Sequence, residues 1–282
     1  MQGFDAKDVK FGAAHALALG RAADLAYRQG AAVRDGAAKW GLSAQFLSAK
    51  VGLADTQAFV AKDAEVVIVA FRGTETDQPK DFLTDAKFDE DPVRPAGVLQ
   101  GRVHEGFQEA LDAAWPAVED SIRAARDGAQ TLWITGHSLG AALATLAAAR
   151  LAAGGASVNG LYTYGSPRVG DRAFAACFGK LLGARTFRFV NHRDIVPRVP
   201  PETLGELQYK HVGQVKYFDR DGNLSDGPSI WEEIKEAFQD LDWTKLVAGN
   251  PTRDDLLDAL KAPLEDHAMA RYLEKLVKLA NG

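Results

Sequence analysis

The sequence predicts an α/β fold with a mostly parallel central sheet flanked by helices. Three observations carry that reading. Segments of strand pattern alternate with segments of helical pattern, the order from which parallel sheets are built. Ala64–Phe71 (AEVVIVAF) is an unbroken apolar run rich in β-branched residues, as expected of a strand covered on both faces. Gly136–Gly140 lies between a short apolar strand pattern and an alanine-rich helical run, so a glycine-flanked turn joins the two.

The elements follow in order. Over residues 11–28, Phe11, Ala14, Leu17, Ala22, Leu25 and Ala26 recur at helical spacing and predict an amphipathic helix. Residues 43–48 and 56–61 read as short strands ahead of the Ala64–Phe71 strand. A helix is predicted over 107–126, a buried strand at Thr131–Thr135 (TLWIT) and a helix at Ala141–Ala152. Leu161–Tyr164 is a strand, Arg172–Leu182 a helix and Thr186–Val190 (TFRFV) a strand. Beyond Pro201 the pattern loosens. Val212–Phe218 reads as a strand running into a turn at Asp221-Gly222-Asn223, Ile230–Leu241 as an amphipathic helix, and 267–279 as a last helix. No internal repeat, low-complexity tract or linker interrupts the chain, so a single domain over 1–282 is expected.

Composition narrows the function. Of 282 residues, 46% are hydrophobic and 25% charged, which suits a globular chain with a sizeable core. The net charge of −5 argues against a nucleic-acid partner. The one cysteine, Cys177, has no partner for an intramolecular disulfide and sits in an apolar flank. The apolar run Ala141–Ala149 ends at Arg150, well short of the roughly 20 residues of a membrane span, so no integral membrane association is expected. The opening MQGFDAKDVKFG carries charges where a secretion signal has its apolar region. Together with the lone cysteine, it leads to the expectation of a cytoplasmic location. No nucleotide-binding glycine motif occurs. Asp219, Asp221 and Asn223 alternate like the start of a calcium loop, but Gly222 falls at the fourth place rather than the sixth, and a hairpin turn fits better. Neither a cofactor nor a metal is expected.

The chemistry lies in Gly136-His137-Ser138-Leu139-Gly140. Gly-x-Ser-x-Gly between strand and helix makes a strained turn that lifts the serine hydroxyl off the carboxyl edge of the sheet. The amides of the following helix favour negative charge developing there. The competing reading is an ordinary helix start with Ser138 as its cap. A serine hydroxyl needs a histidine to take its proton and an acid to orient that histidine. Asp194, just past the TFRFV strand, stands where such an acid belongs. The downstream histidines are His192, His211 and His267. His192 is two residues from Asp194, His211 begins a strand, and His267 follows a long connection able to return it to the site. The amide of Leu139 is a candidate donor to a reacting carbonyl oxygen. Thr74, in Phe71-Arg72-Gly73-Thr74 at a strand end, is either a second donor or part of a polar turn.

These pieces together resemble the class 3 (fungal-type) lipase family of the α/β-hydrolase superfamily. The matching segments are Phe71–Thr74, Val103–Phe107, Gly136–Gly140, Tyr164–Gly170, Asn191–Pro197 and Asp266–Tyr272, in the family's order across residues 10–280. The resemblance implies an α/β-hydrolase fold with a lid segment. It implies Ser138, Asp194 and His267 as a catalytic triad, Thr74 and Leu139 as the oxyanion hole, and no cofactor. It also implies hydrolysis of acylglycerols or of short-to-medium acyl esters. Phospholipase A1, feruloyl esterase and acyltransferase activities share the triad, and a non-catalytic hydrolase-fold binding protein is the reading from another class.

The segment corresponding to the family's lid, 75–88, is polar here; Phe82 and Leu83 are its large apolar residues. A lid that opens on oil exposes an apolar patch, so strong interfacial activation is not expected. Asp85 either fixes the Thr74 hydroxyl or is solvated. Residues 219–262 form a second candidate cap. There Trp231, Ile234, Phe238 and Trp243 either line an acyl groove or pack as an amphipathic helix. Phe82, Leu83, His137 and Trp231 are the candidate substrate contacts. The oligomeric state has no sequence signal.

Overall fold

The computed structural model describes residues 1–51, 54–73, 93–95, 99–204, 206–226 and 262–282. The chain opens with helices α1 (Ala13–Leu25) and α2 (Gly30–Ala38). β1 (Ser43–Val51) and β2 (Ala54–Lys62) form an antiparallel hairpin, and β2 pairs antiparallel with β3 (Val66–Phe71). β4 (Val93–Pro95) and β5 (Arg102–His104) lead into α3 (Glu105–Ala125). β6 (Thr131–His137), α4 (Leu139–Ala153) and β7 (Gly160–Tyr164) follow. Then come β8 (Gly170–Asp171), α5 (Arg172–Leu182), β9 (Thr186–Asn191), β10 (Thr203–Leu204) and β11 (Leu207–Lys210). β12 (Gln214–Phe218), β13 (Leu224–Ser225) and α6 (Met269–Asn281) complete the described elements.

The main sheet has eight strands in the order β1-β2-β3-β6-β7-β9-β12-β13. From β3 to β12 every pairing is parallel, and the antiparallel strands lie at the two edges. β3, β6, β7 and β9 are buried along almost their whole length, because helices cover both faces. One face packs Val67, Val69, Ile134 and Leu161 against Leu111 and Val118 of α3 and Leu143 and Leu146 of α4. The other packs Phe59, Ile68, Trp133, Tyr162 and Phe189 against α1, α2 and Tyr272 and Leu276 of α6. α4 is buried on nearly all sides, which accounts for a sequence of alanine and leucine without a polar stripe. A second sheet, β10-β11-β8-β5-β4, gathers short strands.

Three local outcomes differ from the sequence expectation and bear on the site. β6 runs on to His137 and α4 starts at Leu139, so the turn between them is Ser138 alone. α2 and the short strands of the second sheet carry too few large apolar residues to produce a readable period; Val33 and Ala37 are the buried residues of α2. The predicted helix over 267–279 is broken at Ala268, which adopts an extended conformation (φ −57°, ψ 131°) between a helical segment ending at His267 and α6. The break leaves the His267 carbonyl free to bond elsewhere. The Asp219–Asn223 segment is a turn between β12 and β13. The Asp219 carboxylate accepts from the Asn223 amide at 2.8 Å, and Gly222 takes φ +83°.

Candidate active site

Ser138 is held at φ 59°, ψ −130°, a region costly for any side-chain-bearing residue. The neighbouring glycines permit it. A Cβ on Gly136 would lie 2.2 Å from the Gly140 carbonyl oxygen, and one on Gly140 would lie 2.3 Å from the Phe71 carbonyl oxygen. The turn therefore closes backbone on backbone, and α4 starts against the end of β3. The Ser138 amide donates to the Tyr164 carbonyl at 3.0 Å, tying the turn to the end of β7. The Ser138 hydroxyl makes no capping bond to α4, so the helix-cap reading of this serine is not what the fold uses.

Asp194 follows β9 and is fully buried. Its carboxylate accepts from His267 Nδ1 at 2.9 and 3.0 Å, from the Tyr272 hydroxyl at 2.6 Å and from the Val196 amide at 2.9 Å. A carboxylate in that position fixes the neutral His267 tautomer with its proton on Nδ1. His267 Nε2 then carries the lone pair. It is buried and has no hydrogen-bond partner among the described residues. An imidazole oriented by a carboxylate through one nitrogen and open at the other is the arrangement a general base requires.

Gly165 connects this pair to the serine turn. It follows Tyr164, takes φ +55°, and a Cβ there would lie 2.7 Å from Asp194 Oδ2 and 2.8 Å from His267 Cε1. Only a residue without a side chain lets β7 end against both groups. Gly73 plays a similar part on the other side: its Cβ would lie 3.2 Å from Ser138 Cβ and 2.6 Å from the His137 carbonyl oxygen. The chain thus leaves β3 directly beside the serine. Leu139 heads α4, where first-turn amides lack partners within the helix. Thr74, Phe82, Leu83, Trp231 and the whole 75–88 candidate lid lie outside the described residues. The 219–262 candidate cap is described at its ends, 219–226 and 262.

His137 is not a substrate contact, contrary to expectation. It is buried, its Nε2 donates to the His267 carbonyl at 2.7 Å, and its Nδ1 accepts from the Tyr27 hydroxyl at 2.7 Å. Its ring stacks on that of His267 with centroids 4.6 Å apart. Burial, and then the neighbouring His267, hold its pKa well below the usual histidine range. It therefore stays neutral and braces the backbone of His267. His211, the weaker candidate for the base, instead donates from Nε2 to the Pro197 carbonyl at 2.7 Å.

Two supports lie in the matching segment Asp266–Tyr272, to which the sequence assigned no role beyond His267. Tyr272 donates to Asp194 and accepts from the Asn191 amide at 3.0 Å. Burial and then the Asp194 charge push its pKa well above the usual tyrosine range, so it remains a donor. Asp266 accepts from His192 Nδ1 at 3.0 Å and from the Arg193 amide at 3.1 Å. Its carbonyl accepts from Asn191 Nδ2 at 2.8 Å. The residue before His267 is thereby fastened to the loop that carries Asp194.

Residues 68–204 match the family model described as lipase (class 3). Over that stretch the chain is similar to the class 3 lipase family. Among curated relatives, the secreted mono- and diacylglycerol lipase 1 of Fusarium solani is 37% identical over 189 residues, 63% of this chain and 51% of the relative. A phospholipase A1-II 4 of Oryza sativa subsp. japonica is 35% identical over 188 residues, 55% of this chain and 45% of the relative. The chain spans about half the length of these relatives. A solved triacylglycerol lipase, whose catalytic centre is formed by a serine protease triad, superposes with a TM-score of 0.58 at 26% identity. That match covers 75% of this chain and 81% of the other. The fold is the α/β-hydrolase fold.

The relatives also correct the expected cytoplasmic location. Those from Fusarium solani and Penicillium cyclopium are secreted lipases by name, which points to an extracellular setting. The lone cysteine and charged opening were weak guides, since both describe composition rather than transport. No helix among the described residues is long and apolar enough to cross a membrane.

Proposed function

We propose that this chain hydrolyses carboxylic esters of the acylglycerol or short-to-medium acyl type through an acyl-enzyme. Ser138 attacks the ester carbonyl while His267 Nε2 takes its proton. Asp194 holds the imidazole and stabilises it once protonated. The amides of Leu139 and Thr74 receive the oxyanion. His267 then protonates the leaving alcohol, and water, activated by the same histidine, releases the acid. The observation that carries this reading is the buried His267. One of its nitrogens is fixed by Asp194 and the other is without a partner among the described residues, on a site fastened to the strained Ser138 turn. The names of the matching relatives support ester hydrolysis as the reaction class.

A phospholipase A1 reading has its own support in the rice relative. It shares every residue above and differs in the alcohol released. The test is hydrolysis of p-nitrophenyl esters of increasing chain length by wild type and Ser138→Ala, followed by triglyceride against phospholipid. Turnover that vanishes in Ser138→Ala is expected. Turnover equal in both proteins would refute the mechanism. No turnover on any ester by wild type would favour a non-catalytic role.

A further inference from the structure

The loop carrying Asp194 is held by a second group of side chains that the proposed reaction does not use. Arg168 Nη1 donates to the Arg198 and Pro200 carbonyls at 2.5 and 2.7 Å. His211 donates to the Pro197 carbonyl. Arg188, on β9 three residues before Asn191, is 6% exposed, and Arg168 is 8% exposed. Arg168 and Arg188 lie within each other's fields, and both act on His211. Arg198 also feels Arg168.

The charges in this group do not balance. The carboxylate paired with Arg168 is Glu202, at 3.5 Å, whose side chain is 67% exposed. Asp194 keeps its negative charge and acts on Arg198, while its oxygens are taken by His267, Tyr272 and the Val196 amide. Arg168, Arg188 and Arg198 against Glu202 and Asp194 still leave one positive charge over. Arg188 has no ion pair and no hydrogen bond among the described residues. The Nε atoms of Arg188 and Arg168 are both buried without a partner among the described residues. A guanidinium does not lose its proton to relieve burial, and an unpaired buried charge is strongly unfavourable. His211 offers no relief of opposite sign, since burial and then the two arginines keep it neutral. What this cluster of buried N–H groups lacks is a compact negative charge that accepts their bonds. A singly charged anion sheds its water at far lower cost than a phosphate dianion on entering so buried a place.

We propose that Arg168 and Arg188 bind a small monovalent anion of the chloride type, which fastens the Asp194 loop to β9. Bromide is the probe for position. In crystals grown with sodium bromide, an anomalous peak is expected within hydrogen-bonding reach of Arg188 Nε. Well-ordered arginines without such a peak would overturn the proposal. Solution stability is the second arm, with sodium chloride set against sodium gluconate at equal ionic strength. Wild type should melt about 2–4 °C higher in chloride, as a site largely filled at that concentration gives for a chain of this size. Arg188→Met should melt alike in both salts. Equal melting of wild type in the two salts, or a chloride gain undiminished in Arg188→Met, would refute the site. Where Arg188→Met does not fold, Arg188→Lys keeps the charge but removes Nε, and its chloride gain should fall below half that of wild type.

Discussion

Three hydrogen-bond donors surround the buried Asp194 carboxylate, and each has a distinct consequence. His267 receives its orientation, Tyr272 adds a charge-assisted bond of 2.6 Å, and the Val196 amide fixes the loop. Asp194→Asn should lower kcat about 10⁴-fold, because the amide cannot hold the required histidine tautomer. Tyr272→Phe should lower kcat about 10-fold with KM little changed, since one hydrogen bond to a charged group is lost while the histidine pair remains; kinetics on a soluble ester separate the two. Gly165→Ala should lower kcat at least about 100-fold: its methyl meets Asp194 and His267 inside 3 Å at a positive φ. A near-normal Gly165→Ala enzyme would mean that β7 does not constrain the pair. The pH dependence of stability also belongs to this scale. His137 and His211 are both held well below the usual histidine range by burial first. The unfolded chain takes up protons at these residues as pH falls through about 6.5, while the folded chain refuses them. Stability is therefore present above that pH and is lost below it, by about 1.4 kcal/mol per histidine per pH unit. Denaturant melts at pH 7.5, 6.5, 5.5 and 5.0 should show the decline begin near 6.5, ahead of most carboxylates; a flat profile to pH 5.0 would contradict it.

At the scale of elements, the site is an intersection of strand ends. β3, β6, β7 and β9 all deliver a site residue at or just past their carboxyl ends: Gly73, Ser138, Gly165 and Asp194. Parallel pairing places those ends along one edge, which is why residues so distant in sequence meet there. The approach of α4 to β3 depends on Gly140. Gly140→Ala would drive a methyl into the Phe71 carbonyl and separate the two elements. A loss of about 2–3 kcal/mol in urea unfolding is expected, together with reduced turnover. The break at Ala268 is the other element-level device. It turns α6 away from His267 and leaves the His267 carbonyl to His137, so His267 is braced through its backbone as well as its ring.

For the whole molecule, the open question is how substrate arrives. The 75–88 segment offers little apolar surface in its sequence. The rate on a sparingly soluble ester should therefore saturate smoothly through the solubility limit; a sharp jump above the limit would show lid-gated interfacial activation instead.

The sequence by itself determined the layered α/β plan, the buried strands and the serine turn, because periodicity and glycine placement are local signals. It also singled out Asp194 and His267, through chain order and a family resemblance, and the structure places these two in contact. Only the tertiary structure decided what His137, Tyr272, Asp266 and Gly165 do. His137 bonds a residue 130 positions away, and Tyr272 one 78 positions away. No local pattern encodes such a pairing: a histidine beside a serine reads the same whether it faces substrate or braces the backbone of another histidine. The cationic group at Arg168 and Arg188 was silent for the same reason, since a buried charge differs from an exposed one only in what the fold packs around it.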